Sequence, residues 1–123
     1  MSAKKEFVIL KVEGSGNPVV NVDAATDFET EIQEWTTDHL WCSQVHDFNI
    51  TGGNPLLTLL VSNTNIRADF QPYKSDSTDM KISKIDERGA FDDDLPYKFF
   101  IFVYQSNGAT GSFSLNMLRM QDN

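Results

Sequence analysis

The segment His39-Leu40-Trp41-Cys42-Ser43-Gln44-Val45-His46-Asp47-Phe48 gathers both histidines and the only cysteine of a 123-residue chain. Imidazole and thiolate are zinc and copper ligands, and a thiolate beside a base is also a nucleophile. The spacing His39-x2-Cys42-x3-His46 suits a metal only on a helix. There each residue turns ~100°, so the three positions fall within about 60° of one face. On a strand His39 points away from the other two, and Cys42 and His46 stand ~13 Å apart. A catalytic thiol needs an electropositive setting, whereas Asp38 and Asp47 make this one acidic. The flanking pattern favours the strand. Leu40, Cys42, Phe48 and Ile50 share one parity, Trp41 and Val45 the other, and Thr51-Gly52-Gly53-Asn54-Pro55 is a strong turn signal. Cys42 is therefore expected as a small core residue, with His39 and His46 as bystanders. No metal, cofactor or catalytic residue is expected.

Two further groups of residues invite chemistry. Asp86-Glu87-Arg88-Gly89-Ala90-Phe91-Asp92-Asp93-Asp94 clusters carboxylates, the ligands of calcium. It lacks the alternating Asp-x-Asp-x-Asp-Gly loop, and consecutive aspartates point in different directions. A solvated loop guarding the apolar strand that follows is the simpler reading. The aromatics Trp35, Trp41, Tyr73, Phe91, Tyr97 and Tyr104 flank turns or polar stretches. Exposed, they would stack on sugar rings or anchor a protein partner; otherwise they fill the core. Trp41, Tyr73, Phe91, Asp92, Asp93 and Asp94 are the candidate binding residues. Phosphate loops, dinucleotide fingerprints, Cys-x-x-Cys, His-Glu-x-x-His and Gly-x-Ser-x-Gly are absent from the sequence.

The elements that must position these residues are mostly short strands. Phe7–Val12 is apolar on both faces and reads as a buried first strand, ended by Gly14-Ser15-Gly16-Asn17-Pro18. Val19–Val22 is a second. In 27–36, Phe28, Ile32 and Trp35 sit at helical spacing behind a capping Asp27, which predicts a short helix; Phe28, Thr30 and Ile32 also form a period-two set. Leu56–Val61 is doubly apolar and is expected to form a hairpin with Leu40–Ile50. Ile66, Ala68 and Phe70 alternate, with all three expected inward and Pro72 ending the strand. Met80, Ile82 and Ile85 form a set broken once in parity, as at a bulge. Tyr97–Tyr104 is the most apolar run, expected as a central strand. Asn107-Gly108 predicts a tight turn, and Phe113, Leu115 and Met117 a return strand.

Forty per cent hydrophobic and 23% charged residues describe an ordinary folded chain, long enough for one core. The expected fold is a single all-β domain, residues 1–123. It is an antiparallel sandwich of about eight strands, immunoglobulin-like or jelly-roll-like, with the short helix near 27–36. A net charge of −8 argues against nucleic acid and anionic membrane as partners. The apolar run near the N-terminus is too short for a signal or span, so the cytoplasm is expected, and Asn49-Ile50-Thr51 is not expected to be glycosylated.

The expected function is a non-enzymatic binding or assembly module, acting through a protein partner or self-association. Its basis is that Leu56–Val61 and Tyr97–Tyr104 need cover on both faces, and a second copy could supply one. Alternatives are an acidic mimic that occupies a basic groove on a nucleic-acid enzyme, and a carbohydrate-binding domain using exposed aromatics.

Overall fold

β-branched and aromatic runs separated by Gly, Asn and Pro build sheets, and here they build two. The computed structural model describes residues 4–34, 40–73, 78–79 and 97–121, with side chains over 7–34, 45–73 and 97–117. The first sheet holds β1 (Lys4–Ile9), β2 (Val22–Asp23), β5 (Leu40–Thr51) and β10 (Thr110–Gln121). β10 is its spine, with β5 antiparallel along one edge and β1 and β2 along the other. The second sheet holds β3 (Phe28–Glu29), β4 (Gln33–Glu34), β6 (Leu56–Ser62), β7 (Gln71–Pro72), β8 (Thr78–Asp79) and β9 (Phe99–Gln105). β6 and β9 pair at its centre; β3 and β4 flank β9, and β7 and β8 flank β6. The expected all-β antiparallel architecture is thus what forms.

The core lies between the sheets. Leu57, Leu59 and Val61 of β6 and Phe100, Phe102 and Tyr104 of β9 face Val45, Phe113, Leu115 and Met117 of the first sheet. The Tyr104 and Phe113 rings lie 4.8 Å apart, and Phe28 tilts over Tyr104 at 5.3 Å. Each such side chain removed from water contributes about 1.5–3 kcal/mol. β9 is apolar on its other face as well, where Ile101 packs with Leu60, Phe70 and Ile32.

Two expected hairpins are instead crossovers between sheets. β5 pairs with β10 and β6 with β9, so residues 52–55 and 106–109 each carry the chain from one sheet to the other. The tight turn at Asn107-Gly108 forms, with positive φ at both residues and the Ala109 N–H donating to the Ser106 carbonyl. It turns the corner of the sandwich rather than a hairpin. The two crossovers lie against each other. Asn54 N–H donates to the Asn107 carbonyl, the Asn107 amide returns a bond to the Asn54 carbonyl, and a Cβ on Gly53 would collide with Gly108 and Ala109 backbone.

Four local expectations are corrected. The helix over 27–36 does not form across 28–34. Thr30 spends its N–H on the Phe102 carbonyl and its hydroxyl accepts the Phe102 N–H, while Glu31 N–H donates to Lys11 carbonyl. The backbone there is extended between β9 and residues 11–13, which sends Phe28 and Ile32 into different apolar clusters. β1 is buried on one face only, because Phe7 and Ile9 are exposed. Val19–Val22 is not a strand before Val22, since Asn21 turns the chain at φ 50°. At 66–70 a 3-10 turn over Arg67–Asp69 leaves Ile66 and Ala68 exposed and only Phe70 buried.

Candidate functional site

β5 settles the geometry of the histidine and cysteine segment. Leu40–Thr51 is one strand, so Cys42 and His46 stand four strand residues apart and share no helical face with a third ligand. The strand contains a bulge. Asp47 has φ 51°, and the register on β10 slips between Ser112 and Ser114. One extra residue reverses the parity. Val45 before the bulge and Phe48 and Ile50 after it all reach the core side. The parity that grouped Leu40 and Cys42 with Phe48 and Ile50 is therefore broken at Asp47.

The bulge is held by a chain of hydrogen bonds. Asn21, also left-handed, donates its N–H to the Ser114 hydroxyl oxygen at 3.0 Å. Ser114 donates its hydroxyl to Asp47 Oδ2 at 3.2 Å, and His46 Nδ1 lies 3.1 Å from the same oxygen. A serine, an aspartate and a histidine meet here in an order unsuited to acyl transfer. The serine is fully buried and its hydroxyl donates a hydrogen bond to the carboxylate rather than to the imidazole. The arrangement clamps the 19–21 loop onto the bulge.

Beyond this clamp, β1 sets two apolar side chains on the outer face of the first sheet. Phe7 is 63% exposed and Ile9 55%, on the same face of β1. In register, Phe7 stands opposite Leu118, and Leu118 opposite Cys42. Ile9 stands opposite Asn116, and Asn116 opposite Gln44. Asn116 Oδ1 is buried with no hydrogen-bond partner. An orphaned buried acceptor costs about 1–3 kcal/mol, so this position is unlike an ordinary solvated strand face.

Two concavities lie among the described residues. A cleft of about 230 Å³ has an apolar floor of Val12, Pro18, Val22 and Phe28, rimmed by Ser15, Asn17, Asp23 and Thr26. A smaller hollow of about 110 Å³ lies beside Glu13, Glu29 and Arg67 over Ile32 and Ile101. There Arg67 Nε and Nη2 donate to the two Glu29 carboxylate oxygens at 2.8 and 3.2 Å. That bidentate contact holds the Arg67 guanidinium above its ordinary pKa.

Of the six sequence-predicted binding residues, only Tyr73 has a described side chain. Tyr73 is half-buried against the main core, with its N–H donating to the Leu59 carbonyl. Tyr97 is half-buried against the same core, and Tyr104 is fully buried within it. Trp41 and Cys42 lie in β5, where only the backbone is described; Trp35, His39, Phe91, Asp92, Asp93, Asp94 and the Met80–Ile85 set lie outside the described residues. Among the described residues, no three His, Cys, Asp or Glu side chains are gathered for a metal. No local motif in the sequence marks Ser114 or Asn116, and Phe28 is marked there only as part of an apolar spacing. Compared with protein-family models, curated proteins and solved structures, the chain matches none.

Proposed function

We propose that the protein is a non-enzymatic binding or assembly module that acts through protein–protein contacts. The observation that carries this reading is the pair Phe7 and Ile9, exposed side by side on one strand face. Single exposed apolar residues are ordinary on a protein surface, but neighbours on a rigid sheet face are what interface cores use. Ser114 and Asp47 serve the bulge, and Asp27 and Asn107 serve turns, which fits a scaffold better than a reactive centre. A photoreactive phenylalanine analogue at Phe7, irradiated in the cell of origin, tests the reading. A discrete protein cross-link that Ile9→Asp abolishes is expected. No protein product, with the fold intact by circular dichroism, would remove it.

The cleft over Phe28 favours carbohydrate as a second reading, because an aromatic floor with a rim of Asn, Asp, Ser and Thr suits an uncharged ring. A glycan array with no binder, or binding indifferent to Phe28→Leu, would dispose of it.

A further inference from the structure

We infer that the edge of β5 away from β10, between Leu40 and His46, pairs antiparallel, about a two-fold axis, with the same edge of a second copy. This rests on the assembly reading and names the partner.

Among the described residues, β5 pairs with β10 alone, and no described strand meets the N–H and C=O groups of its other edge. Long edges of that kind recruit another strand unless they are short, charged, bulged or interrupted by proline. The other described edges have such protection. β2, β3, β4, β7 and β8 are two residues each, and β7 contains Pro72. β1 carries Lys4, Lys5 and Glu6. On β5 the bulge at Asp47 protects only the C-terminal part. Upstream, Leu-Trp-Cys-Ser-Gln-Val-His has no Lys, Arg, Asp, Glu or Pro.

A second copy fits this edge for two reasons. A strand's donors and acceptors are complementary to themselves under a two-fold axis, which gives a closed dimer. The stretch is also complementary to itself in sequence. Pairing over the whole of 40–46 sets Ser43 opposite Ser43, Cys42 opposite Gln44, Leu40 opposite His46 and Trp41 opposite Val45. The last is an aromatic–β-branched pair and occurs twice, a favourable combination across antiparallel strands. No acidic residue meets another, which matters for a chain of net charge −8. The two first sheets become one, and the Gln44 row of one copy continues into the Cys42 row of the other.

Sedimentation equilibrium and amide exchange on the full chain test the pairing. A dimer is expected, with protection of the 40–46 amides that rises with protein concentration. Cys42→Lys with Gln44→Lys puts like charges opposite each other twice and should weaken the dimer about tenfold. Cys42→Lys with Gln44→Asp puts opposite charges there and should restore it, so the register is tested even if the first variant folds poorly. A monomer at every concentration would overturn the inference, whether or not its 40–46 amides are protected. So would a dimer indifferent to both variants. The Phe7 cross-link can survive either result, so the two proposals fail separately.

Discussion

At the scale of the residue, Tyr104 shows how burial becomes pH dependence. Its ring is fully enclosed and its hydroxyl donates to the Ala24 carbonyl at 2.7 Å. Burial first, then the charges of Asp27 and Asp23, push the phenol up to about 12. The folded state therefore keeps a proton that the unfolded chain releases near pH 10. Stability contributed by the neutral phenol is complete below that pH and is lost as pH rises toward 12. The loss is about 3 kcal/mol at ~1.4 kcal/mol per pH unit. Urea unfolding across that range should show a decline that Tyr104→Phe removes. The variant itself should cost about 1–3 kcal/mol by orphaning the Ala24 carbonyl. Asp27 has the opposite sign. Its carboxylate accepts the Ser106 N–H and hydroxyl, both at 2.8 Å, and these bonds hold it below the ordinary 3.8. Its contribution is present above that value and disappears as pH falls through the lowered pKa. Asp27→Asn should flatten the acid limb of the stability curve.

At the scale of the element, the crossovers separate what a sequence says locally from what only the fold decides. Gly52 and Gly53 have nearly the same φ, 70° and 66°, so alanine at either meets the same backbone strain. Their surroundings differ: a Cβ at Gly52 meets nothing within 4 Å, and one at Gly53 meets the backbone of Gly108 and Ala109. Gly53→Ala should therefore lower the denaturant midpoint more than Gly52→Ala, with a cost above about 1 kcal/mol. Equal effects would show that the two crossovers do not pack against each other. The strands β6 and β9 were legible because continuous β-branched and aromatic runs have few other uses, and the Asn107-Gly108 turn because both residues tolerate positive φ. Which sheet each strand joins was not legible, since turn residues specify a local bend and not a partner. The parity of β5 was misread because one bulged residue reverses every position before it. Part of the candidate site was hidden because Ile9, Asn116 and Gln44 become neighbours only through register on β10.

At the scale of the whole molecule, the outer face of the second sheet shows what a small sandwich must do with a strand apolar on both sides. The sequence suggested that a second copy covers such a face. The fold supplies cover from its own chain, because Ile101 is 1% exposed beneath Phe70, which is itself 7% exposed, with Ile32 beside them. Phe70 is delivered by the 3-10 turn over Arg67–Asp69. That turn is tied down by the Arg67–Glu29 pair and by the Thr64 hydroxyl donating to Asp69 at 2.6 Å. Phe70→Ala should remove this lid, destabilise the fold by about 3 kcal/mol or more, and expose β9 enough to bind a hydrophobic dye. Arg67→Ala leaves the apolar cover in place and breaks a partly exposed ion pair, so its cost should stay below about 1 kcal/mol. Protein concentration discriminates the two ways of covering the face. If the chain covers itself, the unfolding-midpoint difference between Phe70→Ala and the native chain is the same in dilute and concentrated solution. A difference that shrinks on dilution would mean that a second copy normally sits there and that Phe70 belongs to an interface.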